Sequence, residues 1–271
     1  MLWECCRCGV IFTEPQSIDR GTVRVYEHYH DGASFITPPT VEASLERLVK
    51  SSERFRRTGR WLDFGFGEGG LLAVAERYGW QSYGIEVSRR ALEHGQERGW
   101  SVTCEPREDP RFVVGAFDVV SMVELLEHIP TPLRVLEDAA RWLRPGGLLY
   151  ITTPNVRSVN RRMLGTAWSI VCPPTHVILW TAPALRGALA VAGFQILRLR
   201  AEGWNPSEVL ARLPWRTAGQ GTVNRQQSGI ALSEALARTK VRRAAKAAVN
   251  QCLSVLRLGD TLKAWALRES Y

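Results

Sequence analysis

The chain is short of cysteine and of long apolar runs, and each shortage removes a class of protein. No stretch approaches the roughly 20 apolar residues that a helix needs to cross a bilayer. The six cysteines, at 5, 6, 8, 104, 172 and 252, are too scattered for a disulfide framework, so a reducing, cytoplasmic setting is expected. The opening Met1-Leu2-Trp3-Glu4-Cys5-Cys6 lacks the basic start and apolar stretch of a secretory signal. Acidic residues are scarce in one region only. Residues 195–271 hold 5 Asp and Glu against 13 Lys and Arg, a surplus equal to the whole chain's net charge of +8. What is present is ordinary for a globular protein: 271 residues, 45% hydrophobic and 23% charged, enough to bury one large α/β core with a small appendage.

The most informative stretch is Trp61-Leu62-Asp63-Phe64-Gly65-Phe66-Gly67-Glu68-Gly69-Gly70, followed by the helical pattern Leu71-Leu72-Ala73-Val74-Ala75. It reads as a buried strand, a tight glycine turn and a helix start. Gly65, Gly67 and Gly69 permit positive φ and let a ligand lie against the main chain. The helix amino terminus behind them offers N–H groups to an electron-rich ligand. Asp63, at the strand end, is expected to point into the crevice above the sheet. An acid there suits a ligand with a positive end and opposes a pyrophosphate.

A second apolar stretch, Gln81-Ser82-Tyr83-Gly84-Ile85, also ends in an acid, Glu86. Glu86 lies 23 residues beyond Asp63, near the spacing at which a nucleotide-binding βαβ unit places its ribose-binding carboxylate. Such a carboxylate accepts both ribose hydroxyls.

With these residues the chain resembles the class I S-adenosylmethionine-dependent methyltransferases. The resemblance extends over about residues 10–200. It includes Ala116-Phe117-Asp118-Val119-Val120, Leu126-Glu127-His128-Ile129-Pro130, Leu143-Arg144-Pro145-Gly146-Gly147 before an apolar strand ending Thr153-Pro154-Asn155, and Ala192-Gly193-Phe194. It implies S-adenosylmethionine as cofactor, held by Asp63, Gly65, Gly67, Gly69, Glu86, Val87 and Met122. It also implies an α/β fold: a Rossmann-like sheet of seven strands with helices on both faces and a helical insertion before the last strand. Strands are expected near 61–64, 82–86, 101–104, 117–122 and 148–153, with a sixth from Phe194 to Arg200. A seventh, Thr261 to Leu267, would run antiparallel between the fifth and sixth.

The resulting division is an amino-terminal segment (1–35), a cofactor-binding core (36–200), a basic helical insertion (201–258) and the final strand (259–271). Covering the substrate pocket or supporting homodimer contacts are the roles open to the insertion. Within it, Leu232 to Leu256 reads as a helix, with apolar residues at 232, 236, 241, 245, 248, 252 and 256. Arg238, Lys240, Arg242, Arg243 and Lys246 make its other surface either a solvated face or a contact for an anionic partner. No aromatic residues interleave with these charges, which argues against single-stranded nucleic acid.

Cys5-Cys6-Arg7-Cys8-Gly9 resembles the second knuckle of a zinc ribbon, either decayed or completed by His28 or His30. Tyr26-Glu27-His28-Tyr29-His30 resembles a lid segment ahead of the first core helix.

The chemistry narrows at Glu124-Leu125-Leu126-Glu127-His128. As a helical turn, this segment would present residues i, i+3 and i+4 on one face beside the sulfonium. The ExxEH pattern with a later histidine is similar to that of ubiquinone-pathway catechol O-methyltransferases and small-RNA 2′-O-methyltransferases. By that resemblance Glu124, Glu127, His128 and His176 would hold Mg2+ or another divalent metal that grips acceptor hydroxyls. The mixed nitrogen and oxygen donors also suit manganese or a transition metal. Without metal, the Glu–His pair would only brace its loop, and His176 or His128 would serve as general base. A small-molecule hydroxyl (on a sugar, polyketide or other natural product) is the expected acceptor. RNA 2′-O-methylation and a non-catalytic cofactor-binding scaffold are the alternatives.

Overall fold

The computed structural model describes residues 2–13, 35–210 and 240–269. Its centre is a seven-stranded sheet in the order β5-β4-β3-β6-β7-β10-β9. The strands are β3 (Arg60–Phe64), β4 (Gln81–Ile85), β5 (Ser101–Thr103), β6 (Phe117–Val123), β7 (Leu143–Pro154), β9 (Phe194–Glu202) and β10 (Thr261–Arg268). β3 to β7 pair in parallel, whereas β10 is antiparallel to both β7 and β9. The expected seventh strand thus lies where the resemblance placed it.

Side chains alternate across the sheet because successive Cβ atoms of a strand point to opposite faces. Leu62, Val120, Leu149, Ile151, Leu262 and Ala264 join one apolar cluster, while Trp61, Val119, Leu148 and Tyr150 join another. The first face is covered by α4 (Pro132–Trp142) and α6 (Ala182–Val191), through Leu136, Trp142, Leu185 and Leu189. The second is covered by α1 (Pro39–Ser52) and α2 (Gly70–Arg77), through Leu48, Val49, Leu71 and Val74. Trp61, Leu62, Val119 and Val120 have no exposed surface. Burial of each such side chain contributes about 1.5–3 kcal/mol. A third helix, α3 (Arg89–Glu97), packs Ala91 beside Phe66 and Trp100 and is capped by the Ser88 hydroxyl, which accepts from the Ala91 N–H.

The sheet is braced at the end opposite its glycine loop. Asp118, fully buried, accepts the N–H groups of Arg57, Thr58 and Gly59 at 2.7, 2.8 and 2.7 Å, and the Arg144 guanidinium at 2.6 Å.

The amino-terminal residues form a hairpin, β1 (Leu2–Glu4) and β2 (Ile11–Thr13), which pairs with the short β8 (Ile178–Leu179) as a separate three-stranded sheet. Two further bonds tie it to the core: the Thr181 hydroxyl donates to the Cys8 carbonyl at 2.7 Å, and the Thr13 N–H to the Val177 carbonyl at 2.9 Å. Cys5 and Cys8 lie in the hairpin turn, where N–H groups of Cys8 and Arg7 draw the Cys5 thiol below its usual pKa. Among the described residues no third metal-ligating side chain joins them. His28, His30 and the lid segment fall outside the described residues.

The remaining elements are α5 (Val159–Leu164), α7 (Ser207–Leu210) and α8 (Lys240–Leu256). α8 covers the last 17 residues of the expected basic helix, whose earlier residues lie outside those described. No described helix is long and apolar enough to cross a membrane.

Candidate functional site

The glycine loop joins β3 to α2. Gly65, Gly67 and Gly69 have φ values of +75°, +52° and +74°, the left-handed region that glycine enters without penalty. The Gly65 and Phe66 N–H groups both donate to the Ile85 carbonyl, which fastens the loop to the end of β4. Space here is as restricted as conformation: a β-carbon on Gly69 would come within 2.3 Å of the Trp100 ring.

Glu86, just beyond β4, faces this loop. One carboxylate oxygen accepts the Gly67 N–H at 3.0 Å, and the other accepts the N–H groups of Val87 and Ser88 at 2.7 and 3.1 Å. A carboxylate has about four lone-pair sites, so with three N–H groups bound there remains room for about one hydroxyl donor. Val87 beside it is half-exposed.

Asp63 is held differently from the expectation of an acid open to the crevice. It is only 3% exposed, and its carboxylate accepts the hydroxyl of Ser121, its partner across the β3–β6 register, at 2.5 Å. Ser121 in turn accepts the Trp61 indole N–H at 2.9 Å. Burial pushes the Asp63 carboxyl up to about 7, the Ser121 bond opposes this, and the nearby Glu86 charge adds to it. Met122, grouped with the cofactor residues by resemblance, is fully buried in the main core cluster.

The loop after β6 departs from the helical turn expected over 124–128. Glu124 adopts φ +51°, which breaks any helical path, and its N–H bonds back to the Thr152 carbonyl at 2.9 Å. A shared face for residues i, i+3 and i+4 is therefore lost. Instead of four converging donors, the structure brings three together. Glu127, His128 and His176 offer ligand atoms within 4.8 Å of one another, and Glu124 stands outside the group, exposed.

Each of the three is anchored from outside the cluster. The Thr153 hydroxyl donates to Glu127 at 2.8 Å, fixing a carboxylate with 1% exposure. His128 Nδ1 meets the Thr175 carbonyl at 3.0 Å, and His176 Nδ1 meets the Ile170 carbonyl at 2.7 Å. A carbonyl can only accept, so Nδ1 of each ring carries the hydrogen and Nε2 carries the lone pair. The rings lie 4.7 Å apart at 66°. Burial lowers the His128 pKa, with the Thr175 bond a partial counterweight, so its neutral form prevails at pH 7.

The two halves of the site touch. A β-carbon on Gly65 would lie 2.7 Å from Leu125 Cδ1, which sets the glycine loop directly against the loop bearing Glu127 and His128. Ser121 belongs to no sequence motif, and Thr152 and Thr153 enter only as part of the strand ending in Pro154 and Asn155; hydroxyls in otherwise apolar strands (Val120-Ser121-Met122, Ile151-Thr152-Thr153) are the signal that points to them.

A parallel sheet with a glycine turn after its first core strand, an acid after its second, and an antiparallel last strand defines a methyltransferase fold. The methyltransferase domain family matches residues 38–199, and the chain belongs to that family, within the class I S-adenosylmethionine-dependent methyltransferases. The chain is 32% identical over 165 residues to a ubiquinone biosynthesis O-methyltransferase of Thiobacillus denitrificans, a match covering 56% of this chain and 71% of that protein. It is 28% identical over 165 residues to the protein of that name from Parvibaculum lavamentivorans, covering 54% of this chain and 63% of the relative. The match to the latter thus spans less than two thirds of its length. A solved S-adenosylmethionine-dependent methyltransferase from Archaeoglobus fulgidus shares the fold with a TM-score of 0.56 at 17% identity, over 92% of this chain and 100% of that one.

Proposed function

We propose that the protein transfers a methyl group from S-adenosylmethionine to a hydroxyl of a small organic acceptor. The observation that carries this reading is the packing of the Glu127–His128–His176 cluster against the glycine loop through Leu125 and Gly65. The glycine cradle, the Glu86 carboxylate and the buried Asp63 suit a cofactor with ribose hydroxyls and a cationic amino acid end. S-adenosylmethionine, when bound, supplies an electrophilic methyl on a sulfonium. The protein's own tasks are then to orient the acceptor and take its proton. Nε2 of His128 or His176 is the accepting atom, with a lone pair fixed by the carbonyl bond at the other ring nitrogen. Glu127 stabilises the imidazolium that results.

The same three side chains fit a divalent ion. Two imidazoles with Nδ1–H donated to backbone carbonyls, beside a carboxylate held by a hydroxyl, have the supporting bonds that metal ligands ordinarily show. The donor set suits manganese, iron or zinc better than magnesium. An ion held by Glu127, His128 and His176 would lower the acceptor hydroxyl's pKa.

The likeness to ubiquinone biosynthesis O-methyltransferases, with the catechol chemistry that the ExxEH resemblance implies, directs the first choice of acceptor towards diphenols. The test is methyl transfer from labelled S-adenosylmethionine to a panel of diphenol, sugar and polyketide hydroxyls, with chelator and then with Mn2+. Transfer that His176→Ala and Glu127→Gln reduce at least about a hundredfold, with S-adenosylhomocysteine binding intact, supports the reading. Full activity in both variants would remove the cluster from the reaction.

A further inference from the structure

Just past β7 the chain runs through Asn155 and Val156 to Arg157 and into α5, and here arginines surround two adjoining cavities. The first, about 330 Å³, is lined by Glu4, Gly9, Ile11, Arg157, Arg161 and Arg162, together with Val156. The second, about 150 Å³, shares Arg157 and Arg162 and adds Arg257 from the turn after α8. Many arginines elsewhere in the fold have a carboxylate partner, as in Arg77–Glu42 at 2.6 Å, Arg111–Asp109 at 2.5 Å and Arg144–Asp118 at 2.6 Å. Among the described residues none of the four around these cavities does, and Glu4 on the wall lies beyond ion-pair range.

Two details of this region favour contact with an anion. The Nε of Arg161 is buried with no hydrogen-bond acceptor, a costly state for a charged donor. The hairpin also lies close against Arg157. Gly9 takes φ +69°, and a β-carbon there would come within 2.7 Å of Arg157 Nη2. Like charges gathered around one space repel each other, and a single carboxylate cannot balance them.

We propose that these arginines bind a phosphate or diphosphate group in the cavity between the amino-terminal hairpin and α5. The guanidinium fork matches phosphate oxygens bidentately, and a diphosphate carries enough negative charge to offset three such groups. Arg157, Arg161 and Arg162 donate to its oxygens, Arg257 flanks the adjoining space, and Glu4 bounds the site on the hairpin side. Two sources share this chemistry. The group is either borne by the acceptor, a form that rests on the methyl-transfer reading above, or it is a free anion. Chain continuity favours the first: Arg157 follows by four residues Thr153, whose hydroxyl holds Glu127.

The test is calorimetric titration of the full chain in phosphate-free buffer at fixed ionic strength, with inorganic pyrophosphate and then uridine diphosphate. Sub-millimolar pyrophosphate binding, weakened about tenfold or more in Arg161→Gln/Arg162→Gln with unchanged S-adenosylhomocysteine affinity, is the expected result. The exposed Arg162→Gln alone serves if the double variant does not fold. Tighter binding of uridine diphosphate than of pyrophosphate, lost in the same variant, assigns the group to an organic molecule; equal binding assigns it to a free anion. Pyrophosphate binding no tighter than that of chloride, or untouched by the substitutions, would overturn the site. If S-adenosylhomocysteine still bound in that sample, the methyltransferase reading would stand.

Discussion

Gly65 and Leu125 are in such close contact that a single added methyl group would bring carbons to within 2.7 Å. Gly65→Ala therefore meets an overlap and a left-handed φ of +75° together, an expected loss of about 1–3 kcal/mol. Thermal unfolding should show it, and S-adenosylhomocysteine affinity should fall about tenfold. Adding Leu125→Ala relieves the overlap but not the φ penalty, so the double variant should recover part of the stability. Unchanged affinity in Gly65→Ala would mean that the loop's conformation is irrelevant to the cofactor.

Glu86→Ala removes the acceptor of three backbone N–H groups and the proposed ribose partner at once. Cofactor affinity should drop by about tenfold or more, as expected for loss of hydrogen bonds to a charged group. Titration calorimetry is the measurement, and wild-type affinity would remove Glu86 from the ribose site.

Asp63 should give cofactor binding a pH dependence of definite sign. Its carboxyl, raised to about 7 by burial, is mostly protonated at pH 6 and mostly ionised at pH 8. If the ionised form receives the cofactor's ammonium, affinity should rise about tenfold across that interval. Asp63→Asn should flatten the curve. For folding the sign is opposite: the raised pKa lowers stability as pH climbs from the unfolded value to about 7. An affinity independent of pH in the wild type would contradict the assignment.

His128 titrates below its usual 6.5 because it is buried. The rate of methyl transfer should therefore fall only on an acid limb below pH 6.5, since protonation there removes the Nε2 lone pair. A limb that persists in His128→Gln would belong to another group, with His176 the next candidate.

At the far end of the sheet, Asp118 predicts acid sensitivity. Burial alone would raise its pKa, but the Arg57 N–H, the Arg144 guanidinium and the Gly59 and Thr58 N–H groups together hold it below the usual carboxylate range. Its stabilising contribution is therefore full above the unfolded pKa and disappears as pH falls through the lower folded one. Asp118→Ala should cost about 3–5 kcal/mol at neutral pH, since it strips the Arg144 charge of its carboxylate partner and leaves three N–H groups without their acceptor. In denaturant titrations the variant should show a weaker pH dependence than the wild type between neutrality and pH 3.

The glycine loop is legible in the sequence because glycines at alternate positions after an apolar strand mean positive φ. The antiparallel last strand, Thr261 to Leu267, is legible only through the family resemblance, which supplies its place between the fifth and sixth strands. The loop at 124–128 was legible in composition but not in shape. Nothing in Glu124 itself announces a left-handed backbone, and that one φ decides which carboxylate joins the histidines. Asp63 was recognised as an acid at a strand end, yet its burial depends on Ser121, a neighbour only through sheet register. The arginine cavity was invisible for the same reason. Arg157 and Arg257 are a hundred residues apart in sequence, and the hairpin that closes the space comes from the first thirteen residues.

Because β10 lies between β7 and β9, the sheet remains split until residues 261–268 have left the ribosome. Throughout synthesis of the preceding hundred residues, β7 offers an unpaired row of N–H and C=O groups, the kind of edge on which chains join in the wrong register or with one another. The cofactor loop can form early, but the strand that carries Thr152 and Thr153, on which Glu127 depends, gains its second neighbour last. A nascent chain would thus hold the means to bind a methyl donor before it holds a rigid place to use one.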